Sequence, residues 1–104
     1  MTYEQITRAY RSIGLHFFVD TIERMLERKN QLNNSKFVEE MTREFFNTEG
    51  RDSNVSGTKI RVGFMKKIID ADKYIEVLRV AKNSSRLELE TRKKAALILE
   101  KLEK

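Results

Sequence analysis

The chain has 104 residues, a formal net charge of +5, 36% charged residues and no cysteine. That length holds one domain, 1–104, with room for a core of its own. The absence of cysteine excludes a disulfide framework, a thiolate metal site and a thiol nucleophile. Nine aromatics (six Phe, three Tyr) and frequent Ile, Leu and Val argue against disorder. No proline interrupts the chain, so the commonest helix breaker is missing. The start, Met1-Thr2-Tyr3-Glu4-Gln5, lacks a basic stretch followed by an apolar one, and no apolar run approaches a membrane span. The expectation is a cytoplasmic, all-α protein, an irregular bundle of five or six short helices, with no membrane partner.

The first helix is expected to start at Thr2, with Gln5 completing a capping box. Tyr3, Ile6, Tyr10 and Ile13 follow at 3-4-3 spacing as one apolar stripe. At Gly14 the phase changes, and Leu15, Phe18, Val19, Ile22, Met25 and Leu26 carry a second helix or the second half of a kinked one. Asn30 to Asn34 reads as a turn, and Asn34 or Ser35 caps a third helix. That helix buries Phe37, Val38, Met41 and Phe45 and exposes Glu39, Glu40 and Glu44. The stretch from Asn47 to Gly57 is a loop rich in small and polar residues.

Ser56 or Thr58 is expected to cap a fourth helix with Ile60, Phe64 and Ile68 as its main inward line, widened by Val62, Met65 and Ile69. Asp72 caps a fifth, with Tyr74, Ile75, Leu78 and Ala81 inward, and Asn83 takes a left-handed C-terminal position. Ser85 with Glu88 offers a second capping box. The last helix turns Ala95, Ile98, Leu99 and Leu102 inward. Nowhere does strict alternation persist as a half-buried strand requires.

Little in the chain carries chemistry. The lone histidine, His16, has Asp20 one turn on, and the expected role is a structural hydrogen bond, since a general base also needs a nucleophile. Asp70 and Asp72, or Glu49 and Asp52, match no metal-loop spacing. Ser56-Gly57-Thr58-Lys59 fails as a phosphate loop, because the order is wrong and no strand precedes it. No enzyme, cofactor, metal site or small-molecule substrate is inferred.

Charge distribution is more informative. Residues 1–34 carry +1, 35–50 carry −2, 51–83 carry +4 and 84–104 carry +2. Up to residue 69 of the basic stretch, Arg51, Lys59, Arg61, Lys66 and Lys67 face only Asp52. With a helix start beside them they form a phosphate-binding arrangement, one reading being a nucleic-acid-backbone binder over 51–67. The favoured reading is a non-enzymatic accessory or adaptor protein that docks on a protein partner or forms a homodimer. Its surface is expected around Phe18, Phe46 and Leu97. One helical face cannot bury both members of the pairs Phe17-Phe18 and Phe45-Phe46, and residues 95–99 are apolar on two sides.

Overall fold

The computed structural model describes residues 1–49 and 55–103, with side chains given except at 47–49. Among the described residues there are six α-helices and no strand: α1 (Tyr3–Ile13), α2 (Leu15–Glu27), α3 (Phe37–Glu49), α4 (Val55–Asp70), α5 (Tyr74–Asn83) and α6 (Leu89–Leu102), with a 3-10 turn at Lys29–Gln31. The all-α bundle of short helices is the expected class.

The first capping box forms as expected. Thr2 Oγ1 accepts from the Gln5 amide and Gln5 Oε1 from the Thr2 amide, at 3.2 and 2.9 Å. Gly14 then separates two helices, its amide donating to Tyr10 O at 2.8 Å while its φ of +85° turns the chain. A side chain at that φ is strained, so glycine is required for the turn.

α2 is the central element and touches each of the other five α-helices. With neighbours on most sides, it keeps only the narrow polar side of Asp20, Glu23 and Glu27 toward solvent, and Phe17, Phe18, Val19, Thr21, Ile22 and Met25 are all buried. Phe18 is therefore core, with 0% of its surface exposed, and not part of an interaction surface. This corrects the expectation that one of the Phe17-Phe18 pair is left outside. The Phe17 ring meets Phe45 of α3 edge-on, with centroids 6.0 Å apart. Cations cover both rings, Arg61 of α4 at 5.5 Å from the Phe17 centroid and Arg24 at 4.9 Å from that of Phe45. Thr21, the buried hydroxyl of α2, donates within hydrogen-bond reach of Phe17 O at 2.8 Å and of Met65 Sδ at 3.0 Å.

The remaining helices pack in two groups about α2. α4 lies between α1 and α3, and α5 packs on α6 as a helical hairpin. Ion pairs fasten the rim: Arg28 to Glu44 at 2.9 Å joins α2 to α3, and Arg79 to Glu103 at 2.7 Å joins α5 to the end of α6. Leu32, a single apolar residue in a polar stretch, is buried and plugs the α2–α3 connection.

Three helix ends differ from the sequence expectation. Asp72 does not cap α5. It adopts φ +58° after α4, where its amide donates to Ile69 O and that of Lys73 to Ile68 O, at 2.9 and 3.0 Å. That is the Schellman arrangement, which satisfies the last carbonyls of α4. Asp72 thus takes the left-handed residue's role expected of Asn83, which stays helical and donates from Nδ2 to Arg79 O. The Ser85–Glu88 box does not form: the Leu87 amide donates to Ser84 O, half-buried Leu87 anchors that turn, and α6 begins only at Leu89. Leu102, expected inward, is exposed at the helix end.

Candidate docking surface

α4 begins at Val55, so Ser56, Gly57 and Thr58 belong to its first turn and do not precede it. Its inward line is Thr58, Val62, Met65 and Ile69, spaced 4-3-4, with Ile68 beside it. Ile60, Phe64 and Ile68 do not form that line. A 4-3 alternation keeps to one side of a helix of 3.6 residues per turn, whereas successive steps of four drift by about 40° each. By Ile60 the drift has reached the outside.

The opposite side of α4 carries Ser56, Ile60, Gly63 and Lys67, also spaced 4-3-4. Ile60 is 57% exposed, and Val55 at the helix start is 51% exposed. A groove runs along each flank of this helix. Toward α3 it is lined by Thr42, Phe46 and Val55 with Glu39, Arg43 and Lys59. Toward α1 it is lined by Met1, Ala9 and Phe64 with Gln5, Arg8 and Lys67. The Lys67 ammonium lies 5.2 Å from the centroid of the half-buried Phe64 ring. Apolar ground in both grooves is thus edged by Arg43 and Lys59 on one side and Arg8 and Lys67 on the other, with Glu39 the one acid in either lining among the described residues.

Of the basic residues singled out in the sequence, the four that the structure describes do not converge here. Arg61 turns inward, its Nη1 donating to Ile13 O at the end of α1 while its guanidinium covers Phe17. It serves the fold and is not available to a phosphate. Lys66 pairs with Asp70 one turn on, at 2.8 Å. Lys59 and Lys67 reach solvent, but along different grooves. Arg51 lies outside the described residues.

Of the apolar candidates, Phe46 is half-buried in the α3–α4 groove, while its neighbour Phe45 is core. Leu97 is 58% exposed on α6. Its helical neighbours at three and four residues are Lys93, Lys94, Glu100 and Lys101, so it stands among charges and joins no apolar patch. Ile60 and Val55 were missed because the apolar residues of 55–69 cover more than one face, and spacing alone does not choose which is buried.

The contact expected between His16 and Asp20 is present, His16 Nδ1 lying 2.8 Å from Asp20 Oδ2, and Asp20 Oδ1 is 3.6 Å from Lys94 Nζ. Among the described residues no three His, Asp or Glu side chains gather where they could hold a metal ion, and no helix is long and apolar enough to cross a membrane. Comparison of the chain with protein-family models, with characterised proteins and with solved structures gave no match.

Proposed function

We propose that this chain acts by docking, without chemistry of its own, and that the outer side of α4 receives a helical segment of a protein partner. The observation that carries the reading is Ile60, 57% exposed at the centre of a helix whose other side is fully buried. Exposed Ser56 and half-buried Gly63 flank it along the same line and leave room for a second backbone to approach. Apolar ground bordered by charge is the usual form of a site that accepts an amphipathic helix. Among the described residues the bordering side chains Arg8, Arg43, Lys59 and Lys67 outnumber Glu39, so the matching segment has apolar anchors at helical spacing and acidic flanks.

The nucleic-acid alternative draws on fewer residues than its sequence pattern suggested, since Arg61 and Lys66 are engaged within the fold. Among the described members of that set, a polyanion then meets Lys59 and Lys67 without the convergent cluster that backbone binding uses.

A labelled amphipathic peptide with leucines at helical spacing and glutamates elsewhere tests the reading by fluorescence anisotropy. Binding is expected, weakened at least tenfold by Ile60→Asp and unchanged by Leu97→Asp, with a lysine-flanked version of the peptide binding more weakly. Equal binding of both peptides, or indifference to Ile60→Asp, overturns it. An oligonucleotide that binds more tightly and displaces the peptide transfers the surface to nucleic acid. A concentration-dependent dimer abolished by Ile60→Asp gives it to a second copy of the chain.

A further inference from the structure

A second cleft lies away from the outer side of α4, where the bend at Gly14 meets the turn between α5 and α6, and it has a volume of about 310 Å³. Its floor is apolar, formed by Leu15, Val80 and Leu87, and its polar groups are Tyr10, Ser84, Arg11 and Arg86. No acid lines it. Neither arginine makes an ion pair among the described residues. The polar cleft between α2 and α6 is different: Asp20, Glu23 and Glu27 there face Arg24 and Lys94, and the charges answer one another within the chain.

Two guanidiniums line this one concavity, and a dianion seated in it supplies the counter-charge that the cleft lacks. Each guanidinium offers parallel N–H donors matched to two oxygens of one phosphate. The hydroxyls of Tyr10 and Ser84 supply further donors. Bare inorganic phosphate leaves the leucine and valine floor uncovered, so the floor selects a phosphate carried on an apolar body. The elements are held in place independently of any ligand: the Gly14 amide is bonded to Tyr10 O at 2.8 Å and the Leu87 amide to Ser84 O at 3.2 Å.

We infer that this cleft is a binding site for a phosphate monoester borne on an aromatic or apolar group, with Arg11 and Arg86 as its two anion-holding residues. The site is independent of the docking role of α4.

Phenyl phosphate titrated into the 15N-labelled full chain tests this by amide chemical shifts. The expected result is saturable shifts at Gly14, Leu15, Ser84 and Leu87, with phenol and inorganic phosphate each binding at least tenfold more weakly. Arg11→Gln and Arg86→Gln each weaken phenyl phosphate at least tenfold, and Lys93→Gln on the exposed face of α6 leaves it unchanged. Both arginines are exposed, so the variants should keep the native spectrum, and a loss of binding then reports on the site. A short phosphotyrosine peptide run beside phenyl phosphate separates the sources: tighter peptide binding assigns the group to a modified protein, tighter phenyl phosphate to a free small molecule. Shifts that do not saturate, that fall outside the cleft, or that persist in both arginine variants overturn the proposal, as does inorganic phosphate binding as tightly as the ester.

Discussion

Arg61 donates from Nη1 to the main-chain carbonyl of Ile13, tying the middle of α4 to the last residue of α1. The carbonyls of a helix's final turn have no partner within the helix, and here a cation from another element supplies one. The same guanidinium covers the Phe17 ring, and a Cβ placed on Gly14 would stand 3.1 Å from its Nη1. One side chain of α4 thus packs on the junction that Gly14 makes between α1 and α2. Arg61→Ala should cost about 1.5–3 kcal/mol, the range for a hydrogen bond involving a charged group. Lys59→Ala, at an exposed position of the same helix, should stay within about 0.5 kcal/mol. Thermal unfolding followed by circular dichroism compares the two, and equal midpoints would remove Arg61 from the fold's supports.

The phenylalanine pairs give the second comparison. Phe18→Ala empties a fully enclosed position on the central helix, for which about 3–5 kcal/mol is expected. In a domain of this size each kcal/mol moves the midpoint by roughly 4–8 °C, so the variant's midpoint should fall well below that of the parent. Leu97→Ala removes a side chain that is 58% exposed and should change little. Urea titrations that rank the two the other way round would return Phe18 to the surface.

These cases mark where sequence reasoning succeeds and where it stops. The Thr2 and Gln5 box and the break at Gly14 were legible because each is a local rule: a hydroxyl three residues from an amide, and a conformation only glycine adopts freely. Phe18 was misplaced because its burial depends on how many helices surround α2, which is a property of the whole arrangement. The same holds for α4, where two apolar lines compete and only the positions of α1 and α3 decide between them. Arg61 read as surface charge because nothing near it in sequence reveals a carbonyl 48 residues away. Arg11 lies in the last turn of α1 and Arg86 in the turn between α5 and α6, and their shared cleft exists only after folding.

Asp72 supplies a prediction of opposite sign. It holds φ +58° to close the Schellman turn after α4, a conformation that costs an ordinary L-residue roughly 1–2 kcal/mol and glycine almost nothing. Aspartate tolerates it better than most. Asp72→Gly should therefore leave the turn intact and be neutral or stabilising by up to about 1 kcal/mol, while Asp72→Val should destabilise by about 1–2 kcal/mol, because β-branched residues resist positive φ. Chemical denaturation of both variants checks the order. A glycine variant less stable than the valine one would show that the Asp72 side chain, and not its backbone, holds the turn.

Gly63 links stability to docking. It lies inside α4 on the outward line, and a Cβ built there meets nothing within 4 Å. Glycine in a helix interior is about 0.8–1 kcal/mol less favourable than alanine, because its unfolded backbone is freer and it covers no surface. No positive φ is needed at this position, the left-handed glycine of the described residues being Gly14. Gly63→Ala should accordingly raise the stability of the isolated chain by about 0.5–1 kcal/mol, a gain visible as a higher thermal midpoint. Gly63→Leu should also fold, since its Cβ meets nothing within 4 Å and Gly63 lies on the outward line, yet it places four carbons beside Ile60 where the partner helix is proposed to lie. The expected pattern is a folded Gly63→Leu protein, at least as stable as the parent, that binds the acidic amphipathic peptide at least tenfold more weakly. If both variants fold as expected and Gly63→Leu binds the peptide as well as the parent does, the partner does not approach α4 along the line of Ser56, Ile60 and Gly63.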